Sequence, residues 1–569
     1  MQKFKDLAYA RPSLSALLKI YRSSMKLYRE AARNAAAGKS AAQEAYLKFH
    51  ALLGEFDTPN TIAYIRSTIN LKDEFYAKEM KFYGIARALT LGIAMGGVKK
   101  FLYGPFRSDL EAAFGSQSLR FFEAMIKTNG LKGLVETVKE DRLVTQSKKV
   151  SASCSVEFKG ETQNIYGLSK FLQSIDREER REAYGELAKF QESIAPELED
   201  VFEKLVALRI KKAKKLGYAN YIDYAYESRM RYDYTPADAA KFREQILLHI
   251  VPLCKEIMEA QRKRLGLDVL TQYDSALFFP EGNPVPLGNK DDIVAAAAQM
   301  YKELSPETDE FFQFMAEYEL FDLETRPNKF AAGYCIPLIK YKAPFIFANF
   351  NGTSDDIVVM THEAGHAFEI YHAARQQKLT EYLASTAEIN ETHSMTMESF
   401  TFPWMELFFG EDADRYREMI FAKRLCSIPY YASAEEFQEE IFKNPGMTAN
   451  ERRQLWRNIE KKYMPWIDYA GNAFFESGAA WMRVQIIFFY PFYSMEYALA
   501  QLCAYQYYLH FLEDRGAAWT DYFRLCAAGG SKGYFELLRE GNLKNPFEEG
   551  VVKEIMDAVK ALMETGEKN

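Results

Sequence analysis

At 569 residues, 48% of them hydrophobic, the chain can bury a large apolar core and has a globular composition. A net charge of −7 and a pI near 5.8 leave no basic field to hold nucleic acid. No apolar run is long enough to cross a bilayer, the charged residues 1–6 lack the apolar stretch of a signal peptide, and six scattered cysteines without a C-x-x-C pair exclude a disulfide frame and a thiolate zinc site, as in a reduced cytoplasmic chain.

Taken in chain order, residues 1–145 are helical in pattern: Leu14, Leu17, Leu18 and Tyr21 first, then 42–53, then 61–83. They are expected to form a helical lobe ahead of a catalytic region at 146–569. The patch Gly92, Ile93, Ala94, Met95, Gly96, Gly97 predicts a turn between helices. Val150, Cys154, Val156 and Phe158 alternate as a short strand. A helix returns at 163–193, where the charge run 176–181 reads as a solvated face. Helix continues over 194–225 with a stop at Gly217. Thr235 then caps a helix that has Pro236 at its first position. Residues 272–289, with Pro280, Pro284 and Pro286, form a loop. The clearest β region is 330–351, a hairpin whose apolar runs flank Lys340, Tyr341 and Lys342. Its free edge could pair with an extended peptide through main-chain hydrogen bonds.

The stretch 355–400 holds four of the seven histidines, His362, His366, His372 and His393. Within it, His362-Glu363-Ala364-Gly365-His366 is an H-E-x-x-H motif. Asn351, Gly352, Thr353 and Ser354 make a turn with capping hydroxyls, and Asp355 and Asp356 suit the first turn of a helix. On that helix Ile357, Met360, Ala364, Phe368 and Tyr371 form an apolar side. Residues i and i+4 share a face, so both imidazoles reach one point. Zinc suits that point, because it takes neutral imidazole nitrogen and in catalytic sites keeps three protein ligands and one open position. Glu363 stands beside the metal rather than on it, where a general base would take a proton from water.

The third ligand is expected from a second helix over 380–400, which carries Glu388, Glu391 and Glu398. Glu391 and Glu398 nearly eclipse at ~100° per residue but stand roughly 10 Å apart, so one ligates while the other supports it. Spacing does not choose between Glu388 and Glu391. Farther on, Pro491 can start a helix on which Tyr490, Tyr493 and Tyr497 share a face. A phenol stays protonated near neutral pH and can donate to a forming oxyanion. Gly529, Gly530 and Gly533 lie in a glycine-rich stretch without Walker spacing, read as a mobile loop lining the cleft.

Together these stretches resemble the oligoendopeptidase F and thimet oligopeptidase family of zinc metallopeptidases, in particular its Pz-peptidase-like bacterial branch. The matching segments are Leu216-Gly217-Tyr218, Arg231-Tyr232-Asp233-Tyr234, Asn349-Phe350-Asn351-Gly352-Thr353, His362 to Phe368, Glu391 to Glu398, Pro491-Phe492-Tyr493 with Glu496-Tyr497, and Gly529-Gly530-Ser531. The resemblance covers roughly residue 145 onward; before that, only the helical character matches. It implies a mainly α, two-lobed fold with a deep central channel and a small β-sheet beside the zinc helix. It further implies one Zn2+ per chain held by His362, His366 and Glu391, with Glu363 as base and Glu398 in support. Tyr493 and Tyr497 would be donors to the oxyanion and the substrate, and the substrates would be short peptides. One departure stands out: the family carries a histidine ahead of the Pro-Phe-Tyr segment, and this chain has Ile486. By analogy with removal of one oxyanion donor, that loss is worth about 3 kcal/mol of transition-state stabilisation; Tyr490 is the nearest side chain that could bind substrate in its place. The alternatives are a zinc carboxypeptidase, for which the sequence names no cationic group to hold the terminal carboxylate, and a peptide-binding relative with weak or no turnover.

Overall fold

The computed structural model describes residues 1–33, 38–330 and 332–565. It is mainly helical, and none of its described helices is long and apolar enough to cross a membrane. Helices Leu14–Arg33, Lys39–Ile69 and Glu74–Tyr103 build the N-terminal part. Lys39–Ile69 runs through Pro59, and the break falls instead at Asp73, whose side chain accepts from the Phe75 and Tyr76 N–H groups. The expected turn at 92–97 is absent, because Glu74–Tyr103 continues through it. Packing explains Gly97: a Cβ there would lie 3.0 Å from the Tyr21 ring and 3.2 Å from Phe49.

A helix reaches Ser151, so the strand expected from 149 shrinks to β1 (Val156–Phe158), paired antiparallel with β2 (Glu161–Gln163). Helix Arg177–Leu216 is capped by Asp176 and ended by Gly217 at φ 95°. Its charge run is only partly solvated. Arg177 and Arg180 both clamp the buried Asp274, and Arg180 is itself buried, which ties this helix to the proline-rich loop. Thr235 and Asp238 close a capping box with Pro236 at the first helical position, as expected.

The hairpin is present as β4 (Tyr334–Leu338) and β5 (Ala343–Phe350), in register from Tyr334 opposite Phe347 to Leu338 opposite Ala343. A further strand, β3 (Phe321–Glu324), pairs in parallel with β5, giving the order β3-β5-β4. The central β5 is therefore almost wholly buried, and β4 is an edge strand. Gly352, at φ 83°, turns β5 into helix Asp355–Gln376. The turn is not closed by the expected hydroxyls: Ser354 makes no side-chain cap, and the Asp356 carboxylate accepts from the Asn351 and Gly352 N–H groups instead.

Helix Ala387–Phe400 follows a separate short turn at Thr380–Leu383 rather than one helix from 380. It lies against Asp355–Gln376 so closely that a Cβ on Gly365 would sit 2.6 Å from Ser394 Cα and 2.7 Å from the His393 carbonyl oxygen. Ile357, Met360, Ala364, Phe368 and Tyr371 face the main core, as their spacing predicts. The stretch 527–533 is not a free loop: a Cβ on Gly529 or Gly530 would collide with the Tyr382 or Ala384 carbonyl oxygen, so the glycines are a condition of tight packing.

Candidate metal centre

His362 and His366, one turn apart on Asp355–Gln376, point toward Glu391 on the neighbouring helix. Their Nε2 atoms lie 3.4 and 3.6 Å from Glu391 Oε2, the rings are nearly perpendicular at 4.9 Å, and one donor atom from each of the three residues falls within 4.8 Å of the others. Glu388 does not join them. It accepts a hydrogen bond from the Tyr234 hydroxyl at 2.5 Å, and burial raises its proton affinity. The choice that spacing left open is made by the direction in which each carboxylate leaves its helix.

The surroundings orient all three side chains. Glu398 accepts from His362 Nδ1 at 2.7 Å and from Arg424 with its other oxygen. The His366 ring also bonds to the Asn390 backbone. Tyr493 donates to Glu391 Oε1 at 2.6 Å. Second partners of this kind fix the ring orientation and leave the facing nitrogens free for a cation.

Charge makes the same point. Burial opposes a charge on His362, but hydrogen bonds to Glu391 and Glu398 overcome it and hold the imidazole up at about 10. Burial would raise Glu391, yet the two histidines and Tyr493 keep it down at about 2. Burial drives His366 down to about 4, in its neutral form. The cluster thus retains a proton between carboxylates, and a cation bound to His362, His366 and Glu391 would take that proton's place. The donor set of two imidazoles and one carboxylate fits a zinc ion with an open position.

Glu363 lies beside the cluster. Its Oε2 is buried without a hydrogen-bond partner, and Oε1 faces Gly333 at the start of β4. Burial pushes the carboxyl up to about 7. Tyr497 stacks on Tyr431 at 5.1 Å and meets the Tyr493 ring edge-on at 5.2 Å; burial keeps both phenols protonated. Tyr490 is 59% exposed, with its ring 6.2 Å from Tyr493. Ile486 packs against the apolar core. Sequence reasoning missed Arg424, Tyr431 and Arg229. The Arg229 guanidinium lies 4.5 Å over the Tyr493 ring and bonds Glu496 at 2.7 Å. Isolated residues on amphipathic helices, with partners far along the chain, leave no local pattern.

The model of the peptidase M3 N-terminal domain matches residues 4–129, so the first part of the chain shares more than helical character. The peptidase family M3 model matches 170–281 and 302–557. Among solved structures, PZ peptidase A with an inhibitor is 39% identical, with 100% of both chains covered and a TM-score of 0.94. A Bacillus anthracis str. Ames chain assigned as an oligoendopeptidase F is 36% identical, covering 99% of this chain and 98% of that one, at a TM-score of 0.89. An oligoendopeptidase F homolog of Lactococcus lactis subsp. lactis (strain IL1403) is 21% identical over 75% of this chain and 74% of its own length. With most of its length matched by the family model and its fold shared end to end with these structures, the chain belongs to peptidase family M3.

Proposed function

We propose that the chain is a zinc-dependent endopeptidase that hydrolyses short peptides, with His362, His366 and Glu391 holding one Zn2+. The observation that carries this reading is the convergence of those three donors beside a buried carboxylate, Glu363, that has an unpaired oxygen. Zinc bound there would supply a Lewis acid that polarises the scissile carbonyl and acidifies water. Glu363 takes the proton of the attacking water and passes it to the leaving amine. Tyr493 and Tyr497 contribute phenolic donors for the oxyanion, and the exposed Tyr490 contacts the substrate. Edge strand β4, which begins against Glu363, can align an extended peptide across the site. Glu398 and Arg424 hold His362 in the tautomer a metal requires. The free cysteines suit a reducing cytoplasm.

The test is cleavage of a quenched fluorescent peptide of about eight residues, blocked at both ends, by zinc-loaded protein beside Glu363→Gln. Cleavage by the first is expected, with a loss of about a thousandfold or more in the second at unchanged zinc content. A chain that binds one zinc and the peptide yet cleaves neither blocked nor unblocked peptides would instead be the non-catalytic relative that Ile486 motivates.

A further inference from the structure

A cavity of about 350 Å³ lies away from the metal cluster, between the loop at 270–275, helix Ala413–Lys443 and helix Ala449–Tyr463. Arg483, at the end of the turn Ala479–Arg483, lines it and is exposed. Among the described residues this guanidinium donates no hydrogen bond and makes no ion pair; the Phe475 ring lies 5.8 Å away. Of the other charged groups at the cavity, Glu460 is paired with a cation and, among the described residues, Asp468 is not. Glu460 takes Arg457 at 2.7 Å and the Tyr469 hydroxyl at 2.5 Å, and Asp468, on the exposed rim, accepts the Ala470 N–H at 2.7 Å. Arg483 acts electrostatically on the Tyr430 and Tyr469 phenols, which line the same cavity, and on Tyr184. The Tyr430 hydroxyl, the Trp466 indole N–H and the Gln272 side-chain amide, all from residues lining the cavity, donate to no described residue. An unpaired cation among unused donors suits an anion rich in acceptor oxygens.

A run of aromatic contacts lies between the cavity and the metal cluster. Tyr430 lies 5.9 Å from Tyr431, which stacks on Tyr497 at 5.1 Å; Tyr497 meets Tyr493 at 5.2 Å, and Tyr493 holds Glu391. These ring-to-ring steps bound the separation of Tyr430 and Tyr493 from above, so at ~3.3–3.6 Å per residue about five extended residues are enough to reach from one to the other.

We propose that this cavity is a carboxylate-binding subsite for the peptide, with Arg483 as the ion partner and Tyr430 as a donor beside it. It rests on the peptidase reading and narrows the substrates to peptides that carry an acidic side chain or a free C-terminus within about five residues of the scissile bond.

The test compares quenched peptides of equal length and sequence: a C-terminal amide, the same peptide as the free acid, and amides with Glu or Gln at the fourth or fifth residue on either side of the cleaved bond. The wild type should favour at least one carboxylate peptide by about ten- to a hundredfold in kcat/KM, mostly through KM. Whether the free acid or the Glu peptide wins identifies the source of the carboxylate. Arg483→Gln should erase the preference while cleaving the neutral amide as the wild type does, and Arg483→Lys should keep part of it. Thermal unfolding checks that both variants fold. Equal treatment of acidic and neutral peptides by the wild type, or an Arg483→Gln effect that is the same on both, would overturn the subsite and leave the peptidase reading intact. The same peptides titrated by fluorescence anisotropy into zinc-loaded Glu363→Gln protein decide the subsite without turnover. A carboxylate preference there that Arg483→Gln removes, in a chain that never cleaves, would uphold the subsite and sink the peptidase reading.

Discussion

Two histidine–carboxylate contacts cross the same pair of helices in opposite senses. Helix Asp355–Gln376 gives His362 to Glu398 at 2.7 Å, and helix Ala387–Phe400 gives His393 to Glu369 at 3.5 Å. Only the first belongs to a candidate metal centre. The His362 and His366 side chains keep 17% and 18% exposure, whereas that of His393 has none. Around His362 the charges persist, with the imidazole held up at about 10 and Glu391 down at about 2. Around His393 burial pushes Glu369 up to about 8 and the imidazole down to about 3, so both are neutral near pH 7. Ser385 donates to Glu369 from N–H and hydroxyl, and the Cys526 thiol lies 3.2 Å from His393 Nδ1. A histidine beside a glutamate is therefore not a site in itself. A cation needs a third donor, residual negative charge and access, and only the first contact has all three.

The strongest way to break this comparison is to remove one imidazole from each contact. His366→Ala should abolish stoichiometric zinc binding, measured by elemental analysis after gel filtration, and lower peptide hydrolysis by about a thousandfold or more. His393→Gln should keep its zinc and lose only thermal stability. A folded His393→Gln protein without zinc would show that the two contacts form one unit. A smaller effect is expected at Glu398, which bonds His362 at Nδ1, the ring nitrogen turned away from the cluster. Glu398→Gln should weaken zinc affinity about 10–100-fold, read by competition with a chromogenic chelator. An affinity equal to wild type would mean that Arg424 and Glu398 serve packing alone.

The parts of this arrangement differ in how far the chain announces them. The spacing of His362 and His366 follows from the helical period alone, and the apolar side from Ile357 to Tyr371 follows in the same way. The third donor did not, because Glu388 and Glu391 differ in the direction they leave the helix, which depends on Tyr234 and Tyr493 from distant segments. Arg424 gave no signal, since its partner Glu398 lies 26 residues earlier on another helix. Glycines misled twice for one reason. Gly97, Gly529 and Gly530 serve close approach of neighbouring groups, yet in sequence they look like parts of turns or mobile loops. β3 was invisible because its apolar–polar alternation lasts only four residues and its partner β5 joins in parallel from more than twenty residues away.

The smallest effect sharpens the comparison from its neutral side. Glu369 in the folded chain binds its proton up to about pH 8, against about 4.5 for the ordinary side chain, and burial is the main cause. A carboxyl whose proton affinity rises on folding contributes stability that is complete below pH 4.5 and is lost as pH climbs through 8. Glutamine mimics the neutral carboxyl in shape and cannot ionise. Glu369→Gln should therefore melt close to wild type near pH 5 and about 2–4 °C above it near pH 8, with zinc content unchanged at both. The gain at high pH identifies the cost of ionising Glu369 in a site with no cation to receive the charge. Parallel melting curves for the two proteins across that range would mean that Glu369 is ionised in the fold. The contact with His393 would then be an ion pair, and the contrast with His362 would reduce to solvent access and the missing third donor.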